Sequence, residues 1–351
     1  MRSAHHISTG VRPITVETEP YNAETPPEAF LRRGITPSGS FYVRNHFSMP
    51  SIDPTTWRLS VTGAVKKPLT LSLSEITQMR EKALVVTLEC AGNGRTRMHP
   101  LPASTPWRDY AIATAKWTGV PLKDVLEEAE PEDNAAEILF KGADMGVEAG
   151  RELSFERSLP LSEALNEDVI LAYKMNERPI PRTHGSPLRL IVPRWYGMAS
   201  VKWLTKIRLL TKPFQGYYQK ERYVYKDESE EHAVERIRVK SLILKPPEEA
   251  VLRRGRSYSV KGLAWSGNGQ VTKVEFKTHN SEWMPTELSE NALNPYAWRR
   301  WSVTWTPERP GRFALMSRAH DESGARQPDE LVSNTYGYGY NTVTARTVLV
   351  T

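Results

Sequence analysis

The sequence predicts two folded units: a mixed α+β unit over residues 41–232 and an all-β sandwich over 233–351, preceded by an extended arm over 1–40. Three observations support this reading. At 351 residues the chain is longer than most single cores. Up to about residue 210, short helical patterns alternate with buried strand patterns. From residue 236 onward, strand patterns at 237–244, 257–265, 271–278, 298–306, 312–319 and 341–350 follow one another with turns between them and no long helix.

Residues 1–40 carry Pro13, Pro20, Pro26, Pro27 and Pro37 with little periodicity, which predicts an arm laid over the body. FYVRNH at 41–46 is a short aromatic, β-rich piece ending in polar groups, and WRLSVTG at 57–63 alternates as a strand does. Ser72 and Glu75 have capping-box spacing, so a helix is expected over 73–81. Leu84, Val85, Val86 and Leu88 then form a buried strand. Leu122, Val125, Leu126 and Ala129 fall on one helical face. Strands are expected at 137–141 and 169–175 with a helical turn at 161–165 between them, then strands at 188–192 and 201–210. The stretch 215–232, charge-dense over 226–231, is the expected connector between the units.

Composition narrows the function. Forty-seven Lys and Arg against 41 Asp and Glu leave a charge of only +6, with the acids spread along the chain, which argues against a general nucleic-acid surface and for a local anion site. No run of about eighteen apolar residues exists, so no membrane span is expected. The start, MRSAHHISTG, has no apolar leader core. The expectation is a cytoplasmic protein as given, or a periplasmic one whose leader has been removed.

The chemistry centres on LVVTLECAGNGR at 84–95. Cys90, the single cysteine, ends the buried strand, and Gly92-Asn93-Gly94 follows as a loop in which backbone can closely approach a ligand. A lone cysteine forms no intrachain disulfide. It remains a small buried hydrophobe, a nucleophile, an intermolecular link or one thiolate on a metal. Nucleophilic catalysis would need His46, His99 or His184 to reach it. A zinc site lacks its spacing, and Gly92-Asn93-Gly94 is no dinucleotide fingerprint. Arg44, Arg95, Arg97, Arg182, Arg189 and Lys202 all occur beside glycine, proline, histidine or aromatic residues, and guanidinium forks suit tetrahedral oxyanions. Each alone reads as a surface charge; together around one thiolate they would form an anion site.

FYVRNH at 41–46, LECAGNGR at 88–95, AIATAKWTGVPLKDVL at 111–126, LAYKMNERPIPRTHGSPLRLIVP at 171–193 and VKWL at 201–204 together resemble the molybdenum domain of the sulfite oxidase family. The region 236–351 resembles the immunoglobulin-like dimerisation domain that follows it. The resemblance implies a molybdenum cofactor in which one cysteine thiolate and the ene-dithiolate of a single molybdopterin bind the metal. It also implies oxidation of sulfite to sulfate by oxygen-atom transfer, and a homodimer.

Carried over position by position, Cys90 matches the metal ligand, where a soft thiolate suits a sulfur-held metal. His46, His184, Arg189 and Lys202 match positions that hold the pterin and its phosphate, with Asn45 in the same motif. Arg44, Arg95 and Trp107 match the substrate oxyanion pocket. Tyr223 matches an active-site tyrosine whose hydroxyl could hydrogen-bond the incoming anion, with Tyr217, Tyr218 and Tyr225 as neighbouring competitors. The family also sends a C-terminal arginine toward the substrate, for which Arg299 or Arg300 in AWRRW is the match.

Two positions depart from the family pattern. Gly94 stands where many members carry arginine, and Arg222 precedes Tyr223 where an acid is common. No Cys-x-x-Cys-His occurs and no haem domain precedes residue 41, so electrons are expected to pass to dioxygen, a cytochrome or another external carrier. Two alternatives stay open at this level: a related molybdenum reductase acting on nitrate or a sulfoxide, and a cofactor-free two-domain binding or assembly protein.

Overall fold

The computed structural model describes residues 11–31, 34–226, 231–290 and 294–351. The leader reading of 1–10 and most of the 226–231 connector lie outside these residues. Within the expected arm, Ile14–Thr18 and Tyr21–Glu24 pair as an antiparallel hairpin, followed by the helical turn Pro27–Phe30. The described part of the arm is therefore folded rather than extended. Asn22, Ala23, Glu24 and Thr25 are buried, and Ala23 and Val43 exchange backbone hydrogen bonds.

Two five-stranded sheets build the first unit. In one, Lys82–Glu89, Ile112–Pro121, Ile170–Met175 and Arg178–Pro179 lie in that spatial order, with Arg189–Ile191 also pairing to Ile170–Met175. In the other, Leu69–Ser72, Arg58–Gly63, Leu204–Leu210, Glu137–Glu148 and Arg151–Pro160 are neighbours, and the pairing of Arg58–Gly63 with Leu204–Leu210 is parallel. The expected capping box forms: Glu75 N donates to Ser72 Oγ (3.2 Å) and Ser72 N donates to Glu75 Oε2 (2.7 Å). The helix it starts, Leu73–Gln78, stops three residues short of expectation. Leu122–Ala129 buries Leu122, Val125, Leu126 and Ala129, the predicted face.

Two long strands of the first unit were not anticipated. Ile112–Pro121 is buried along almost its whole length, so it shows no alternation, and Arg151–Pro160 is polar on its outer face. The second unit packs one sheet of Lys240–Lys245, Tyr258–Trp265, Arg299–Trp305 and Glu287–Leu288 with another of Ala250–Leu252, Ala345–Val350, Gly311–Asp321, Val271–Thr278 and Met284–Pro285. Val260, Phe276, Trp301, Leu315 and Val348 lie in the core between them. Among the described residues, no helix is long and apolar enough to cross a membrane.

Candidate active site

Cys90 lies where Lys82–Glu89 ends, and its loop is held by a tight set of bonds. Cys90 N donates to Ala111 O, Asn93 N to Cys90 O, and Ala111 N to Asn93 Oδ1 (2.9, 2.9 and 3.0 Å). Asn93 Nδ2 donates to Glu89 Oε1 at 2.8 Å, so one asparagine ties the loop to the strands on both sides. Gly92 is required by packing: a Cβ there would collide with the guanidinium of Arg95. Gly94 is required by conformation, with φ +89°.

The loop opens into a cavity whose empty space, mouth included, is about 670 Å³. Its wall brings together Arg44, Asn45, His46, Cys90, His184, Arg189, Lys202 and Tyr223, which the sequence scatters over 180 positions. Cys90 is buried, and burial raises its thiol, opposed by the charges of Arg44 and Arg95. His184 is held at about 3 by burial and by Lys202 and Arg189, so it is neutral, and its Nε2 lies 3.1 Å from Ser38 O. Arg189 donates to His184 O (2.9 Å) and Ser200 O (2.8 Å), and burial lowers it to about 10. Lys202 donates to Asn45 Oδ1, and burial followed by Arg189 depresses its ammonium. Asn45 is positioned by the N-terminal hairpin: its N–H donates to Asn22 Oδ1 (2.6 Å) and its Nδ2 to Tyr21 O (2.7 Å).

Tyr223 follows a single π-helical turn, Tyr218–Arg222. Arg157, buried, donates from Nη1 to Tyr218 O, and its guanidinium lies 5.5 Å over the Tyr223 ring. Burial raises the Tyr223 phenol, with Arg44 pulling against the rise. Of the four tyrosines in that stretch only Tyr223 lines the cavity. Tyr217 and Tyr218 turn their hydroxyls to Glu148, and Tyr225 packs under Arg238.

Other sequence candidates lie elsewhere. Arg95 donates to Thr105 O (2.7 Å) and Tyr336 O (3.0 Å) behind the Cys90 loop, and Trp107 is buried in the apolar cluster that includes Cys90; neither forms the cavity wall. Arg97 is clamped to Asp109, and Arg182 to the carbonyls of Met49 and Pro50. His99 is exposed. The C-terminal arginine match is corrected. Arg299 donates to Val271 O (2.7 Å) and Ser289 O (2.8 Å) within the sandwich, and Arg300 to Phe30 O (2.9 Å) of the N-terminal arm, so main-chain acceptors hold both guanidinium groups and neither lines the cavity.

What the second unit does send toward the site is aromatic and buried. Tyr338 stacks on Tyr223, Arg95 lies 5.3 Å over Tyr338, and Arg222 lies 5.0 Å over Tyr336. Lys240 reaches Glu89, the residue before Cys90, at 3.8 Å. Asp144 was also missed. It is 5% exposed, lines the cavity, and its Oδ1 has no hydrogen-bond partner. Burial lifts its carboxyl to about 6, against the pull of Lys202. Nothing in GADMG distinguishes that aspartate from a turn residue.

The donor set is specific. Among the described residues no three His, Cys, Asp or Glu side chains converge into a metal cage, and one buried thiol faces a cationic cleft. The profile of an oxidoreductase molybdopterin binding domain matches residues 46–218, and that of a Mo-co oxidoreductase dimerisation domain matches 231–347. Mitochondrial sulfite oxidase of Mus musculus is 33% identical over 332 residues, 88% of this chain and 60% of that protein. Nitrate reductase [NAD(P)H] of Hordeum vulgare is 33% identical over 357 residues, 91% of this chain and 40% of that one. The chain thus spans about 60% of the length of the mammalian relatives it matches. The sulfane dehydrogenase SoxCD of Paracoccus pantotrophus shares the fold, with TM-score 0.85 at 24% identity over 99% of this chain and 92% of that one. With both profiles matched in order, the fold shared and the single buried thiol at the cavity, the chain belongs to the sulfite oxidase family of molybdopterin-binding oxidoreductases.

Proposed function

We propose that this chain is the catalytic portion of a molybdenum-dependent oxidoreductase that oxidises sulfite to sulfate and passes electrons to an external acceptor. The observation that carries the reading is Cys90 facing one cavity with Arg44, Arg189 and Lys202. The residues fit a molybdenum–molybdopterin group. Cys90 would be the protein's thiolate ligand, and Asn45, His184, Arg189 and Lys202 would hold the pterin and its phosphate through cationic and neutral donors. The unpartnered Oδ1 of Asp144 is an acceptor for a ligand N–H in an otherwise donor-rich pocket. When bound, the cofactor supplies a two-electron, oxygen-transferring centre.

The protein's part is to bind and orient the anion. Arg44, half-buried in the wall, is held by Nη1 donating to Asn45 O and by Nη2 beside His46, and its remaining N–H groups would meet the oxyanion without reorganisation as charge shifts. Arg95 adds a second positive charge from behind the Cys90 loop, and Trp107 closes the apolar packing beneath it. Tyr42 and Tyr223 are the two phenols in the cavity wall, and Tyr223 is the one that the family motif matches. The matched dimerisation domain supports a homodimer through the second unit. Steady-state assays test the activity: sulfite with an electron acceptor should turn over, whereas reduced viologen with nitrate or a sulfoxide should not. The reverse pattern would replace sulfite oxidation by the reductase reading that the nitrate reductase relative supports.

A further inference from the structure

Three side chains run from the cavity to the surface. His46 Nε2 lies 2.8 Å from Tyr223 Oη, and His46 Nδ1 lies 3.3 Å from Glu148 Oε2. Glu148 also accepts from Tyr218 Oη (2.7 Å) and Tyr217 Oη (3.4 Å) and pairs with Arg222 Nε (3.2 Å). Its side chain is 24% exposed, while that of His46 is 6% exposed.

An ionised carboxylate only accepts hydrogen bonds, so Glu148 Oε2 beside Nδ1 favours the tautomer that carries its hydrogen there. In the neutral ring, Nε2 then carries the lone pair, and its donor is the Tyr223 hydroxyl. Arg44 Nη2 lies 3.2 Å from Nδ1 and 3.4 Å from Nε2. A donor so nearly equidistant from both nitrogens is in line with neither lone pair. The groups facing His46 are Arg44 from its own segment, Glu148 from the end of the strand Glu137–Glu148, and Tyr218, Arg222 and Tyr223 from the π-turn, with Phe47 and Phe155 against the ring. Burial, then Arg44, holds His46 at about 3. Against the upward effect of burial, the His46 hydrogen bond takes Glu148 to about 2. At neutral pH an uncharged ring therefore faces a charged carboxylate.

We propose that Glu148 is a positioning residue that fixes His46 as the Nδ1–H tautomer, so that Tyr223 commits its hydroxyl hydrogen to His46 and turns an acceptor oxygen to the cavity. This rests on the oxygen-transfer reading and divides the site in two. The Arg44 fork takes the oxyanion, and the Tyr223 lone pair takes a hydrogen of the water consumed. In the net reaction one sulfite and one water give one sulfate, two protons released to solvent and two electrons passed to the external carrier. Tyr223 thus orients water rather than donating to the anion.

The test is ¹⁵N NMR of histidine in the cofactor-free full chain at pH 7, with the His46 signals assigned by their loss in His46→Asn. The expected wild-type pattern is a protonated Nδ1 and a bare Nε2. Glu148→Gln should abolish that preference and Glu148→Asp should restore it. Tyr223→Phe, which keeps the carboxylate, should leave it unchanged. In the loaded enzyme Glu148→Gln should lower kcat about ten-fold or more with KM unchanged or lower. A wild-type Nε2–H tautomer, or a Tyr223→Phe protein whose tautomer changes, would overturn the assignment. The NMR result does not depend on the substrate, so failure of the sulfite assay with the tautomer intact would count against the oxygen-transfer reading alone.

Discussion

Tyr338, from the C-terminal sandwich, stacks on Tyr223 with ring centroids 5.2 Å apart and planes 23° apart. The second unit therefore packs directly behind the cavity wall, because the ring that stacks on the cavity-lining Tyr223 comes from 115 residues further along the chain. Gly337 and Gly339, at φ +64° and +65°, let the Tyr-Gly-Tyr-Gly-Tyr stretch turn tightly enough to place Tyr336, Tyr338 and Tyr340 around the Cys90 loop.

Replacing the ring removes a buried stack and the surface over which Arg95 lies. Tyr338→Ala is expected to lower stability by about 3 kcal/mol, while Tyr338→Phe, which keeps the stack, stays within about 1 kcal/mol of wild type. Urea titration at neutral pH measures both. Equal losses in the two variants would show that the hydroxyl, rather than the stacked ring, carries the contact.

Behind Cys90, Lys240 and Glu89 form a buried pair at 3.8 Å, with side chains 4% and 2% exposed. Glu89 is further satisfied by Asn93 Nδ2 and Trp265 Nε1, each at 2.8 Å. Burial raises the Glu89 carboxyl and lowers the Lys240 ammonium, as expected of charges taken out of water. Lys240→Met alone leaves a buried carboxylate uncompensated and is expected to cost about 3–5 kcal/mol. Adding Glu89→Gln, which removes the buried charge and keeps one acceptor oxygen for Asn93 or Trp265, should recover part of that loss in the same urea assay. A double variant no more stable than the single one would contradict this account.

Acid should weaken the fold through its histidines. His46 and His184 are both held at about 3 in the folded chain, whereas an unfolded histidine binds a proton near 6.5. Between those values the unfolded state carries more protons, so stability is fully present above about pH 6.5 and falls as pH drops toward 3. Each histidine contributes a slope of up to about 1.4 kcal/mol per pH unit. Glu148, depressed to about 2, adds a loss only at lower pH, between its unfolded value of 4.5 and 2. His184→Gln should reduce the slope between pH 6 and 4 by about one proton in urea titrations across that range. An unchanged slope would mean that His184 titrates normally in the folded chain.

The parts of the fold legible in the sequence are those set by local chemistry. The Ser72–Glu75 box, the apolar face of Leu122–Ala129 and the alternation of the sandwich strands each depend on neighbours a few residues apart. Ile112–Pro121 was not legible, because a strand buried on both faces loses the period that marks it. The cavity residues that came through the family motifs were found. The side chains that pack behind the cavity from a distance, Tyr338, Lys240 and Glu148, were not, since nothing around them in sequence records the partner they meet. Arg299 shows the opposite failure. The family resemblance alone points to it or Arg300, yet two main-chain carbonyls hold the Arg299 guanidinium.

The central claim is that Cys90 and the cations around it hold a molybdenum–pterin group. Metal analysis of the full chain, expressed in a host that makes molybdopterin, tests it most directly when wild type is compared with Arg189→Ala and Lys202→Met. About one molybdenum per wild-type chain, with clear loss in the two variants, is the predicted result. A wild-type chain that folds normally and carries no molybdenum would contradict the claim.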